Sequence, residues 1–150
     1  MEYEINSNTL AIIPYQKGKE LGSLNINKND EYIVNLTPYQ VIENSCSYYG
    51  SSLNGRMNGA RSILGSVYKI PVMVEETNNL IFFPTTAIEN EKNVWIGSNN
   101  ILNYHKKGKN TVVEWKNNKK TEFNMPILSI ETQLLRVNKL ITITKQRKNY

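Results

Sequence analysis

Between Ser45 and Ala60 the chain reads SCSYYGSSLNGRMNGA: small residues, a tyrosine pair and one arginine, with no acidic side chain among them. Gly50, Gly55 and Gly59 let the backbone adopt positive φ or come near a ligand, and Ser51, Ser52, Asn54 and Asn58 set hydroxyl and amide donors beside them. That is the chemistry of a surface which another molecule approaches closely. Arginine is the residue best suited to read a nucleic acid there. Its planar fork donates twice, stacks, and fits the narrow minor groove of A/T tracts, where the negative potential is enhanced. Of the four arginines, Arg56, Arg61, Arg136 and Arg147, the first is the leading candidate, because the amides of Asn54 and Asn58 flank it and reach base or sugar edges. Arg61, on the same segment, is the second. The competing reading makes Arg56 a cap or a pairing partner within the fold and the glycines a device for tight packing.

A second set of candidates is basic. The turns HKKGK and KNNKK supply Lys106, Lys107, Lys109, Lys119 and Lys120, point charges that hold a phosphate backbone in place and carry little sequence information. Successive turns of a simple meander lie at opposite ends of its sheet, so these five lysines are not expected to form one patch. They belong to a wider asymmetry: Met1–Lys92 holds seven basic and ten acidic residues, net −3, whereas Asn93–Tyr150 holds eleven basic and three acidic, net +8. The C-terminal half therefore seeks polyanions, which by charge alone include DNA, RNA and an anionic membrane; the plainer alternative is solvating charge on turns.

Catalysis has little to stand on. His105 is the only histidine, which removes a histidine-rich metal site, and its lysine neighbours make it a surface ring near phosphate. Glu75 with Glu76, and Glu89 with Glu91, read as solvated turn charges, because adjacent acids on a strand point to opposite faces. GSSLNGRMNG lacks the Lys-Ser/Thr ending of a nucleotide-binding loop. Cys46 reads as a small buried hydrophobe. An enzyme acting on a phosphorylated substrate would anchor it on Arg56 and Ser51 or Ser52, but acid and base partners are scarce. No cofactor, metal or enzymatic activity is expected. Tyr48 and Tyr49 are expected to divide between surface and core, while Phe82, Phe83, Trp95 and Trp115 build the core or a subunit contact.

These residues must be held by short elements. Glu2–Ile5 and Leu10–Pro14 flank Asn6-Ser7-Asn8 as an opening hairpin, and Leu21–Ile26 and Glu31–Leu36 read as strands, the latter buried. Thr37, Pro38 and Gln40 give a hydroxyl N-cap, a proline at the first helical position and a capping box, so a helix runs to about Ser47. A second helix spans Leu53–Leu64, with Leu53, Met57, Ala60, Ile63 and Leu64 on its apolar face and Gly65 as its C-cap. Ile70–Glu75 and Leu80–Pro84 form the clearest hairpin. Val94–Ile96, Ile101–His105, Thr111–Trp115 and Thr121–Met125 continue a meander. After Pro126, a helical stripe of Ile127, Ile130, Leu134, Leu135 and Val137 or Asn138 precedes a basic tail, about 140–150, that begins with β-branched residues and reads as unstructured at its end. The expected fold is α+β: one domain of mostly antiparallel hairpins and meander with two or three short helices.

At 150 residues the chain is long enough to bury a core without staples. One cysteine excludes an intrachain disulfide and fits a reducing compartment. The N-terminus has no charged-then-apolar segment, and no apolar run approaches the roughly 20 residues that span a bilayer, so a cytosolic protein without membrane attachment is expected.

The run SCSYYGSSLNGRMNG, preceded by VNLTPYQVIE and followed by PVMVEETNNLIFFPT, resembles the competence transcription factor (ComK) family of Gram-positive bacteria, and a weaker collinear similarity extends through NVWIGSNNILNYHKKGKNTVVEWKNNKKTEFNMPI. The resemblance covers about Thr9 to Leu135. It implies a cytoplasmic, nucleoid-associated activator of DNA-uptake genes that binds double-stranded, A/T-rich promoter sites as a homo-oligomer and acts with RNA polymerase. It supplies no set of base-contacting residues, so Asn54, Arg56, Asn58, Arg61 and the five lysines rest on their chemistry. Better-known members continue into a C-terminal segment tied to promoter activation and adaptor-directed proteolysis; the chain stops at Tyr150, and control through that segment is not expected. A single-stranded nucleic-acid or RNA-binding module, stacking bases on Tyr48, Tyr49, Trp95 or Trp115, is the alternative.

Overall fold

The strands pair into two antiparallel sheets in a computed structural model that describes residues 3–149. The larger sheet contains β1 (Thr9–Lys17), β2 (Glu20–Asn27), β3 (Glu31–Val34), β4 (Val72–Glu75), β5 (Leu80–Pro84) and β6 (Trp95–Gly97), in the order β3-β2-β1-β6-β5-β4. The smaller is the meander β7 (Ile101–Lys107), β8 (Asn110–Trp115) and β9 (Lys120–Phe123), with order β7-β8-β9. Helices α1 (Pro38–Tyr48) and α2 (Leu53–Leu64) join β3 to β4, and α3 (Ile127–Lys148) follows β9. The α+β class with antiparallel hairpins and three helices is as expected.

Local signals form where they were read. The Gln40 amide donates to Thr37 Oγ1 at 3.2 Å while the Thr37 N–H donates to Gln40 Oε1 at 3.0 Å, closing the capping box that starts α1. α2 ends at Gly65, whose φ of +79° only glycine adopts freely and whose N–H donates to the Arg61 carbonyl at 2.8 Å. β4 and β5 form the expected hairpin, and β5 is buried along its whole length. Phe82, Phe83, Trp95 and Trp115 are all buried in the core.

Five expectations are corrected. The opening hairpin joins β1 to β2 through Gly18 rather than pairing Glu2–Ile5 with Leu10–Pro14. Of that first segment, Glu2 lies outside the described residues. Tyr3–Ile5 is no strand but is moored by side chains: Tyr3 Oη donates to Asn27 Oδ1 at 2.7 Å and the Ile5 N–H to Ser45 Oγ at 3.0 Å. Pro14 is tolerated within β1 because β6 pairs only with Ala11 and Ile12, so no ladder bond is asked of the missing N–H.

The strand at Val94–Ile96 does not begin the meander. As β6 it inserts between β1 and β5, and the 3-10 turn Ser98–Asn100 carries the chain to the second sheet. Gly97 permits this insertion: a Cβ there would lie 2.9 Å from the Phe82 ring and 3.1 Å from the Leu10 carbonyl.

The expectation of a buried Glu31–Leu36 strand fails: β3 ends at Val34, the one buried residue in it, and Ile33 is 51% exposed at the edge of the sheet.

The tail is helical. α3 runs for 22 residues, through the β-branched ITIT to Lys148. Its buried residues Ile130, Gln133, Val137 and Leu140 recur at three- and four-residue spacing, so packing one continuous face outweighs weak helix propensity. Leu135, expected in that stripe, is 71% exposed.

Candidate nucleic-acid interface

The glycine-rich segment becomes an elbow between α1 and α2. Tyr49 Oη donates to the Ile5 carbonyl at 2.6 Å, while Tyr48 stands exposed against its ring, edge to face at 5.1 Å. The pair divides as expected. Gly50 turns the chain at φ +85°, and Ser52 caps α2 by accepting the Gly55 N–H at 3.0 Å.

α2 sorts its residues by helical spacing. Asn54, Asn58 and Arg61, four and three residues apart, form one exposed stripe, and Arg61 Nη1 donates to Asn58 Oδ1 at 3.4 Å. Gly55 and Gly59 lie beside it, exposed. A Cβ at Gly59 would meet nothing within 4 Å, and one at Gly55 would meet only the Ser52 and Ser51 hydroxyls. Each glycine inside a helix costs about 1 kcal/mol against alanine. Packing within the chain does not require Gly59, and the bare backbone of both glycines lines the open cleft between α2 and the end of α3.

Arg56 is turned away from that stripe. It is half-buried in a cleft of about 330 Å³ between α2 and the end of α3, with Ala60, Ile63, Leu140, Thr144 and Arg147. Its Nε is buried without a hydrogen-bond partner. The capping or pairing alternative gains no bond at that atom. Burial pushes the nearby Cys46 thiol up to about 11, against a smaller opposing effect of the Arg56 charge. The cysteine is the buried hydrophobe expected.

α3 adds charges that sequence reasoning placed in a loose tail. Lys145, Arg147 and Lys148 occupy its last turn, where cations suit the helix dipole. Arg147 Nη1 donates to Ser62 Oγ at 2.8 Å and Nη2 to the Ser62 carbonyl at 3.2 Å, while Lys148 pairs with Glu76. The run KQRK was the visible signal; its helical setting and contact with α2 were not.

The five candidate lysines separate as the meander requires. Lys106, Lys107 and Lys109 lie at the β7–β8 turn, and Lys119 and Lys120 at the β8–β9 turn. The ends of β8 are about 17 Å apart at about 3.3 Å per residue. Lys107 Nζ pairs with Glu122 at 2.9 Å and Lys120 with Glu114 at 4.0 Å. Hydrogen bonds from Asn110 and then Lys107 hold the Glu122 carboxyl below its usual range. Lys106, Lys109 and Lys119 are exposed, with no carboxylate partner among the described residues. His105 is also exposed, beside Lys106. No helix of the described residues is long and apolar enough to cross a membrane.

The sequence profile of the family described as ComK protein matches residues 1–149. The chain belongs to the ComK family. It is also 30% identical over 146 residues to the competence transcription factor of Bacillus subtilis (strain 168), an alignment covering 97% of this chain and 76% of that relative. No solved structure matches. In this ComK-family chain the segment that carries the clearest resemblance, SCSYYGSSLNGRMNG, is the elbow and the exposed first turns of α2.

Proposed function

We propose that this chain is a transcription activator of competence genes that binds double-stranded, A/T-rich promoter DNA. The single observation that carries the reading is the exposed part of α2: two amides and an arginine in one outward stripe, with two bare glycines at the mouth of the adjoining cleft, on a helix with no acidic residue. The glycines let a sugar-phosphate backbone or groove wall come close, Asn54 and Asn58 hydrogen-bond base edges, and Arg61 enters the narrow minor groove. Arg56 acts from the adjoining cleft wall, and Lys106, Lys109 and Lys119 hold phosphates. A second copy extends the footprint, with the exposed Leu128 and Leu135, seven residues apart on α3, as its contact. RNA polymerase is the downstream partner, and the setting is the cytoplasm, on the nucleoid. Burial of Trp95 and Trp115 leaves Tyr48 as the one exposed platform of the four that single-strand binding would stack on, which favours this reading over a mode that stacks successive bases.

Fluorescence anisotropy against A/T-rich duplex, G/C-rich duplex and single strand, repeated across salt concentration, tests it. Preference for the A/T duplex that survives moderate salt supports the reading. Equal binding to all three, erased by salt, overturns it.

A further inference from the structure

A second polar cleft lies on the other flank of α3, where both sheets meet the helix. Its volume is about 540 Å³. It brings together Lys28 from the β2–β3 turn and Lys116 from the β8–β9 turn, which are 88 positions apart in the chain. Backbone bonds fix both. The Lys28 N–H donates to the Asn8 carbonyl at 3.0 Å and its carbonyl accepts from Asn117 Nδ2 at 2.7 Å, while the Lys116 N–H donates to the Asn100 carbonyl at 2.9 Å. No carboxylate lines the cleft, and neither lysine has an ion pair among the described residues. Two lysines that line one cleft on fixed backbones, with no carboxylate beside them, favour an anion there.

The rest of the lining is selective. Asn78, Asn79, Asn99 and Asn138 present amides, and Leu134, Val137 and Ile141 of α3 form an apolar wall. Asn99 Oδ1 is buried with no hydrogen-bond partner, an acceptor that awaits a donor. Anion, flat apolar face and N–H donor occur together in a nucleotide.

We infer that this cleft binds one nucleotide unit, with its phosphate between Lys28 and Lys116, its sugar or base face against Leu134, Val137 and Ile141, and a base amino group donating to Asn99 Oδ1. That the nucleotide belongs to a DNA strand rests on the function proposed above; a free deoxynucleotide is the other source of the same chemistry. Side-chain amide resonances of Asn99 are followed by NMR while the full chain is titrated with A/T-rich duplex, with deoxyadenosine monophosphate and with inorganic phosphate. The same titrations use a Lys28→Gln, Lys116→Gln double variant whose unchanged melting temperature shows that it is folded. A strand nucleotide shifts Asn99 in step with duplex binding. The double variant then loses that shift, binds duplex about tenfold more weakly and has a salt slope lower by about one. A shift with the monophosphate but not with bound duplex assigns the cleft to a free nucleotide. Absence of duplex binding removes the proposed function while the monophosphate still decides the cleft. No Asn99 shift with either nucleotide ligand, or a shift that persists in the double variant, overturns the inference.

Discussion

Arg147 reaches back 85 positions to grip Ser62 twice, at its hydroxyl and at its backbone carbonyl in the last turn of α2. The contact does two jobs. It places a cation at the negative end of α2, and it pins the last turn of α3 beside the cleft that holds Arg56. The basic end of α3 is thereby part of the α2 surface.

Arg147→Ala should therefore loosen both helix ends. Two partly exposed hydrogen bonds together contribute about 1 kcal/mol, which corresponds to about 2–4 °C in melting temperature for a chain of this size. Hydrogen exchange should quicken in residues 142–149 and in the last turn of α2, leaving β5 and β6 unchanged. Uniform quickening across the sheet would show that the bond does not act locally.

Gly59→Ala separates stability from function. A Cβ at this position meets nothing, so alanine should stabilise α2 by about 1 kcal/mol and raise the urea midpoint. If a DNA backbone approaches this face, the same methyl should weaken A/T-duplex binding about tenfold, a loss of about 1.4 kcal/mol. Gain in stability with unchanged binding would remove α2 from the interface.

Gly97→Ala should do the reverse. Its Cβ would press on the buried Phe82 ring and the Leu10 carbonyl between β1 and β5. Overpacking of this kind costs about 1–3 kcal/mol, read as a lower urea midpoint.

What was legible in the sequence was local. Thr37 with Gln40, Gly65 as a C-cap, and the loop between β4 and β5 each fix their structure within a few residues, and each formed as read. The misses are long-range. Asn6-Ser7-Asn8 does make a turn, but β1 finds its hairpin partner beyond Gly18, and β6 reaches its place only because β1 and β5 leave a slot for it. ITIT carries β propensity that burial of Val137 and Leu140 overrides. In the candidate site, proximity in sequence groups Asn54 and Asn58 with Arg56, whereas the helix sets them in one stripe with Arg61. The pairing of Lys107 with Glu122 and the placement of Arg56 against α3 need the tertiary fold.

Alkaline pH should unfold the chain through two buried groups. Burial pushes the Tyr3 hydroxyl from 10.0 up to about 12, and the Cys46 thiol from 9.0 up to about 11. Each group stays protonated in the fold at a pH where the unfolded chain has already released its proton. Their stabilising contribution is complete below the unfolded values and is lost progressively between about pH 9 and 12. Urea midpoints measured from pH 8 to 11 should fall for the natural chain and fall less steeply for Cys46→Ala and Tyr3→Phe. Identical slopes in all three would place the titration elsewhere.

The division of labour within the interface is the last expectation, and the structure sharpens it. Lys107 is already neutralised by Glu122, so the lysines to remove together are Lys106 and Lys109, both exposed and without a carboxylate. Lys106→Gln with Lys109→Gln should weaken binding to every duplex alike and flatten the salt dependence by one to two in log–log slope, about 0.9 for each phosphate that is no longer neutralised. Arg61→Ala, at the end of the α2 stripe, should instead relax the preference for A/T over G/C duplex, because a charge seated in a narrow minor groove reads its shape. Arg56→Ala compared alongside it distinguishes a groove contact from a cleft wall: a groove contact loses preference as Arg61 does, whereas a cleft wall loses affinity evenly. If Arg61→Ala and the lysine pair produce the same uniform loss, α2 contributes charge alone, and sequence is read somewhere other than its exposed face.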